Sequence, residues 1–366
     1  MKINILLPHK EKFDKYKASS VSTTVKNNLV NSKYKKNIMV FGQDVNHPIL
    51  TNNFRGIKDP HLFFKSKNKN LAEKMCKIIL AENDKRQIVE VHNRPYLVNI
   101  VHNFLKENPI SLFYHNDPQS MLGSKTTKER ADLLKKVQAI FCVSKFIKNK
   151  FLEGLDKDIE KVSVVYNGVE RSLKTFPKKS KSVIFVGRLV PEKGVSLFVE
   201  AVKKLAPKFI DWKFYICGSP ILGNTSSKSD FASKITKEFL KIGKQAIVTG
   251  FLSHDEVQIK MKEASLVVIP SLWDEPFGLV VAEAMSNGCA IITVNKGGIP
   301  EIIGNNGLII EDININKLII EIENLLSNEK KMKHYQCLSW KNFKHTSKLS
   351  SIRLDKFRKQ ILDDFF

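Results

Sequence analysis

The chain has 366 residues, 42% of them hydrophobic, and a formal net charge of +23, enough apolar content for two domains with full globular cores. Its five cysteines, Cys76, Cys142, Cys217, Cys289 and Cys337, are scattered, which excludes a Cys-x-x-Cys or zinc-type framework and points to a reduced, cytosolic protein. No apolar run approaches the ~18 to 20 residues of a membrane span. The apolar stretch at residues 1–8 is too short for a signal peptide and reads as a first β-strand. Further strands are expected at 37–41, 87–92, 110–114, 139–143 and 163–166. Helical patterns fall between them, at 22–31, 70–82, 96–107, 127–136 and 145–152, the alternation of a doubly wound sheet. Residues 171–182, polar and basic with Pro177, read as a linker. The pattern then restarts, with strands at 182–186, 212–217, 246–249, 266–269, 290–294 and 307–310 and a helix at 195–204. The last segment, 340–366, reads as helical and basic. The fold class implied is α/β, two Rossmann-like domains with parallel sheets facing a central cleft.

One stretch carries the strongest chemical signal, Ser265-Leu-Val-Val-Ile-Pro-Ser-Leu-Trp-Asp-Glu-Pro-Phe-Gly-Leu-Val-Val-Ala-Glu-Ala-Met-Ser-Asn-Gly288. A buried strand is followed by a short loop and by a helix expected to start at Pro276, the favoured first helical residue, and to end near Gly288. Ligands sit beyond the carboxyl ends of strands in such sheets. The N–H groups of Phe277, Gly278 and Leu279 would face an anion, helped by the helix dipole. Glu275 and Glu283 bracket this site. Two readings are open on spacing alone: a capping Glu275 with a solvent-facing Glu283, or two carboxylates that accept from sugar hydroxyls. Arg188 and Lys193, in Gly187-Arg188-x-x-x-x-Lys193-Gly194, flank a tight turn after a strand and suit phosphate binding. Neither a P-loop nor a dinucleotide fingerprint is present.

Glu275-Pro-Phe-Gly-Leu-Val-Val-Ala-Glu283, with Ala284-Met285-x-x-Gly288, resembles the paired-glutamate motif of retaining GT-B glycosyltransferases of family 4, glycosyltransferases group 1. The resemblance implies that Glu275 binds donor-sugar hydroxyls, Glu283 the nucleotide ribose, and Arg188 with Lys193 the diphosphate. It gives His115, in Tyr-His-Asn-Asp-Pro118, a place near the donor's reacting carbon. Phe251, in Gly250-Phe251-Leu252, falls in the loop that meets the base, and Gly297-Gly298 in a loop near the donor sugar. Asn167-Gly168-Val169 resembles a structural turn before the linker. Where the family has a Gly-Gly loop after the first strand, this chain departs from it with Ala18-Ser19-Ser20-Val21. Ser19, Ser20, His92 and Arg94 are acceptor-side candidates. The implied mechanism needs no metal and no cofactor beyond the nucleotide diphosphate sugar as co-substrate, with a UDP-sugar favoured. The implied domains are 1–172 for the acceptor, 173–338 for the nucleotide sugar, and 339–366 as a helical segment crossing back.

Of the excess charge, 28 Lys and Arg against 12 Asp and Glu, a net of +16, fall in residues 1–150. Part of this follows from a chain rich in Lys, Asn and Ile throughout. A field of this sign attracts nucleic acid or anionic lipid. No nucleic-acid recognition motif or basic stripe is present. Segments that mix aromatics with lysines, residues 10–17 and Phe63, Phe64, Lys65, Lys67 and Lys69, suit an anionic membrane surface instead. The expectation is a hexosyltransferase on the inner face of the cytoplasmic membrane whose acceptor is a glycerolipid or a lipopolysaccharide core, similar to bacterial envelope-sugar transferases. The alternatives are an epimerase-like GT-B enzyme acting on nucleotide sugars and a nucleic-acid-binding protein.

Overall fold

The computed structural model describes residues 2–58, 66–82, 84, 86–219 and 230–366. They fall into two compact units, Met1–Gly168 with Thr346–Phe366, and Val169–His345. The sequence suggested crossings after 172 and 338.

Unit one runs β1 (Lys2–Leu6), α1 (Ser20–Asn31), β2 (Ile38–Gln43), β3 (Phe54–Ile57), α2 (Lys67–Ala81), β4 (Gln87–His92), α3 (Leu97–Phe104), β5 (Ile110–Tyr114), α4 (Thr127–Leu134), β6 (Ala139–Cys142), α5 (Lys145–Leu152) and β7 (Val162–Val164). Its sheet has the order β3-β2-β1-β4-β5-β6-β7, with every pair parallel. Parallel strands need crossover helices, which cover both faces, so β4, β5 and β6 are buried along their whole length. The strand order reverses between β1 and β4. At such a point the carboxyl ends of the strands open a crevice. His92 ends β4, and His115 directly follows β5.

Unit two runs β8 (Ser180–Val186), α6 (Val195–Leu205), β9 (Lys213–Cys217), α7 (Asp230–Leu240), β10 (Ala246–Gly250), α8 (His254–Glu263), β11 (Ala264–Val268), α9 (Leu279–Ser286), β12 (Ala290–Val294), α10 (Ile299–Ile303), β13 (Leu308–Ile310), α11 (Ile315–Leu326) and α12 (Glu329–Asn342). The sheet order is β10-β9-β8-β11-β12-β13, again parallel. Phe198 of α6, Phe214 of β9, Phe239 of α7 and Val268 of β11 share one buried core. Here the reversal lies between β8 and β11. The loops that follow these two strands hold Arg188 and Lys193, and Ser271 to Glu275.

The last helix, α13 (Ser347–Phe365), belongs to unit one. Leu354 and Ile361 join Phe113 and Phe141 in a core cluster. Arg358 makes paired bonds to Glu90 of β4, Nε to Oε1 at 2.7 Å and Nη2 to Oε2 at 2.8 Å, and a third to Asp355 at 3.0 Å. Asp355 in turn accepts from the Ser32 hydroxyl and the Lys33 amide, both at 2.8 Å.

Three expectations need correction. The segment 340–366 is not one helix: α12 ends at Asn342, and α13 starts after Thr346, whose hydroxyl caps it by accepting from the Leu349 amide. The central strand is Ala264–Val268, two residues earlier than the apolar run suggested at its start. The helix after it starts at Leu279 and not at Pro276, because Gly278 takes a left-handed conformation (φ 92°) and interrupts the helical path.

Candidate active site

In unit two the site is built from loops that lock onto one another. A Cβ on Gly194 (φ 69°) would lie 1.8 Å from the Pro270 carbonyl oxygen, so only glycine lets the loop after β8 sit flush on the end of β11. The Leu272 amide donates to the Glu192 carbonyl at 2.8 Å and ties the same two loops. A third loop closes on the other side of Glu275. There a Cβ on Gly297 (φ 60°) would meet the Glu275 carbonyl oxygen at 2.2 Å, and the Gly298 amide donates to that oxygen at 2.7 Å.

The side chains at this junction form a small charged group. Lys193 Nζ donates to Glu275 Oε1 in a short ion pair, and both side chains are mostly covered. Ser271, fully buried, places its hydroxyl 3.0 Å from the same oxygen. Arg188 is about half exposed, with Nη2 3.6 Å from Glu192 Oε1. The sequence predicted Lys193 and Glu275 as separate members of one site. Their direct pairing, across 82 residues of chain, comes from the neighbouring strands β8 and β11.

On the far side of the Gly278 turn, Leu279 and Val280 are the first helical residues and their amides have no acceptor within the helix. Phe277 is not a ligand candidate by its side chain, which is buried and packs edge-on against His345 at 5.9 Å. Glu283 lies one turn further, 13% exposed, and burial raises its carboxyl from the ordinary 4.5 to about 7. Its Oε1 is 3.5 Å from Nδ1 of His254, the first residue of α8, whose start is fixed by the Ser253–Glu256 capping box. Phe251, partly exposed, stands at the carboxyl end of β10 in the loop that leads to His254. No sequence signal placed His254 beside Glu283, since α8 is polar and buries only Met261.

In unit one, His92 Nδ1 and His115 Nε2 are 2.9 Å apart, and His92 stacks on Phe113 at 4.4 Å. Burial lowers His115 to about 4 and His92 well below the usual imidazole range, with the charges of His115 and Arg358 adding to the effect on His92. Both rings are therefore neutral at pH 7, so one nitrogen of this pair donates and the other accepts. Asn93, in the left-handed region (φ 54°), accepts from the His115 amide through its side chain. Arg94 folds back to donate to the Asn93 carbonyl at 2.6 Å. Ser19 is the N-cap of α1, with its hydroxyl accepting from the Ser22 amide at 3.2 Å, and Ser20 is an exposed first helical residue. Ser19 thus has a structural duty that the sequence did not separate from binding. The chain holds one Asp-x-Asp spacing, Asp156-Lys157-Asp158, in a loop before β7, where Asp158 faces Lys161 at 3.9 Å.

Two parallel doubly wound sheets, with the last helix returned to the first unit, define the GT-B fold. Solved structures share it over nearly their whole length: Anabaena Alr3699/HepE in complex with UDP (TM-score 0.75, 17% identity, covering 98% of this chain and 100% of that one) and sucrose-phosphate synthase from Thermosynechococcus elongatus (TM-score 0.74, 15% identity, 99% of each chain). Residues 169–336, most of unit two, match the family model described as glycosyl transferases group 1. The lipopolysaccharide 1,2-N-acetylglucosaminetransferase of Salmonella typhimurium is 31% identical over 121 residues, 33% of this chain and 32% of that protein. The chain spans between about a third and just over half the length of the curated relatives it matches. No helix among the described residues is long and apolar enough to cross a membrane.

Proposed function

We propose that the chain is a retaining glycosyltransferase that moves a hexose from a nucleotide diphosphate sugar, with UDP favoured, to an acceptor carried on a membrane, a glycerolipid or a lipopolysaccharide core. The observation that carries this reading is the junction of Lys193 and Ser271 on Glu275, four residues before the start of α9, because a held cation and a helix N-terminus suit a diphosphate and the carboxylate suits sugar hydroxyls. The group 1 match over unit two, the UDP complex of the Anabaena structure and the lipopolysaccharide relative support it. In the reaction the bond between the sugar's anomeric carbon and the diphosphate oxygen breaks, and the diphosphate leaves with the electron pair. The acceptor oxygen bonds to that carbon on the same face, and its proton ends on the departing phosphate. Arg188, Lys193 and the α9 amides offset the developing negative charge. Neutral His115, held by His92, serves as a hydrogen-bond partner and not as an acid.

Nucleotide binding tests the reading. If Glu283 accepts from ribose hydroxyls, UDP stabilises its ionised form. UDP affinity should then rise as pH increases through about 7, with a proton released on binding. In the free protein the raised value means that Glu283 binds more protons folded than unfolded, so its contribution to stability falls as pH rises from 4.5 to about 7. Glu283→Gln should flatten both profiles and keep part of the affinity, and Glu283→Ala should lose more. Calorimetric titration at several pH values measures this, and unchanged affinity in the alanine variant would refute the role.

The acceptor side rests on charge. Phe63, Phe64 and Lys65 lie outside the described residues, while Lys67 and Lys69 are exposed on the first turn of α2. Among the described residues, the other segment that mixes aromatics with lysines, 10–17, forms a knuckle at 15–17. Phe13 anchors it, buried and stacked on Phe54 at 5.5 Å, and Asp14 accepts the amides of Tyr16 and Lys17 at 2.9 and 3.1 Å. This leaves Tyr16 62% exposed between exposed Lys15 and Lys17. Each basic residue near an anionic bilayer contributes ~1 kcal/mol, screened over ~8 Å at physiological salt. Sedimentation with anionic vesicles should show binding that high salt releases and that Lys15→Glu with Lys17→Glu weakens. Equal binding to neutral vesicles, or none to either, would point to a soluble acceptor.

A further inference from the structure

Ser271 is the hub of the site, yet the proposed transfer chemistry gives it no role; a role for it in choosing the sugar rests on that proposed function. Its hydroxyl lies 3.0 Å from Glu275 Oε1, 3.2 Å from the Trp273 carbonyl and 3.4 Å from the Glu192 carbonyl, and it accepts the Trp273 amide at 3.3 Å. It has one proton to give. The carboxylate is both the nearest acceptor and the only charged one, and such bonds are stronger than neutral ones. Ser271 therefore accepts from Trp273 and donates to Glu275. Lys193 donates to the same carboxylate oxygen. Two donors thus converge on Oε1. Oε2 has no protein partner among the described residues.

This asymmetry has a consequence for substrate choice. A carboxylate with both oxygens open can accept from hydroxyls over a wide arc. One whose Oε1 is held by a buried serine and a lysine cannot turn, and it offers a single oxygen in one direction. We propose that Ser271 is a positioning residue that fixes Glu275 so that Oε2 alone meets the donor sugar, which makes one hydroxyl, or one vicinal pair, the group by which the sugar is chosen. The backbone supports the same geometry. Ser271 sits directly after Pro270, whose carbonyl packs on Gly194, and Glu275 is clamped by Gly297 and Gly298. Neither end of the Ser271–Glu275 bond has room to drift.

The test uses the intact chain and UDP-sugars together with their monodeoxy analogues. For the wild-type protein, one analogue should lose about 10- to 100-fold in kcat/KM against its parent, as a missing hydrogen bond to a charged group does. Ser271→Ala should lower kcat/KM for the parent sugar through KM, leave the poor analogue as it was, and so shrink the discrimination several-fold. UDP affinity should not change, because Ser271 bonds to the Glu275 carboxylate, which the proposed function assigns to the sugar and not to the nucleotide. Ser271→Cys fills the same space with a weak donor. It should lose discrimination as alanine does while folding normally, and retention of full discrimination by this variant would assign the effect to packing and overturn the proposal. Wild-type discrimination in Ser271→Ala would overturn it too. A wild-type protein that turns over no nucleotide sugar at all would remove the functional reading itself, a result distinct from either.

Discussion

Lys193→Ala is expected to lower turnover by on the order of 10² or more, the usual cost of removing one preorganised stabiliser of leaving-group charge. Lys193 does not swing in solvent: Glu275 holds its ammonium in place, and both side chains are mostly covered. In the proposed transfer, a cation fixed in this way needs no reorganisation as charge develops on the leaving diphosphate. The alanine variant loses that charge and leaves Glu275 with only the Ser271 hydroxyl on Oε1. Lys193→Arg should not restore activity, since a planar fork cannot take the place of a compact ammonium in this short contact. Arg188→Ala should show a loss of the same order. Its stability effect should be small, because Arg188 is about half exposed and its contact with Glu192 is a surface pair at 3.6 Å. Single-turnover measurement of UDP formation separates the chemical step from product release. Near-normal rates in both variants would remove the diphosphate assignment.

The parts of the fold that could be read from the chain are those whose burial is complete. β4 and β5 match the expected residues 87–92 and 110–114 at both ends, because apolar residues, mostly β-branched or aromatic, fill these two-sided buried strands, Ile88, Val89 and Val91 in one and Ile110, Leu112, Phe113 and Tyr114 in the other. α5 matches too, with Ser144 as its cap. β3 went unseen because it is an edge strand, Phe-Arg-Gly-Ile, with only Ile57 buried. α8 went unseen because one buried methionine leaves no periodic face. At the candidate site, local motifs pointed to Arg188, Lys193, Glu275 and Glu283, since each lies in a strand–loop–helix unit with its own spacing. What joins them is not local. The Lys193–Glu275 pair and the His92–His115 pair depend on which strands become neighbours, and no spacing records that. Proline at 276 misled for a physical reason: its fixed φ suits a helix start, but the left-handed Gly278 two residues on postpones the helix. Glu90 did leave a trace, as a carboxylate inside Gln-Ile-Val-Glu-Val-His, a strand with no solvent face. Such a group needs a buried partner, and the partner lies 268 residues away.

That partner sets the second large effect. Arg358→Ala is expected to destabilise unit one by about 3–5 kcal/mol, the cost of breaking a buried ion pair from one side. Arg358 and Glu90 are each about 1% exposed, so neither can find water when the other is removed. The loss would strand two carboxylates, and they would not suffer equally. Asp355 keeps the Ser32 hydroxyl and the Lys33 amide. Glu90 loses both of its paired bonds. Removing Glu90 as well should therefore recover much of the stability: Glu90→Leu with Arg358→Met replaces the pair by apolar groups, which buried pairs often tolerate without loss. The site would feel the single change too, because Glu90 and His92 point to the same face of β4. An uncompensated Glu90 carboxylate favours a charged imidazole at His92, which would disturb the neutral His92–His115 pair. Urea unfolding of the wild type, the single variant and the double variant gives the energies. A loss below about 1 kcal/mol for Arg358→Ala, or a double variant no better than the single one, would mean that α13 is held by its apolar face, Leu354, Phe357 and Ile361, and not by this pair.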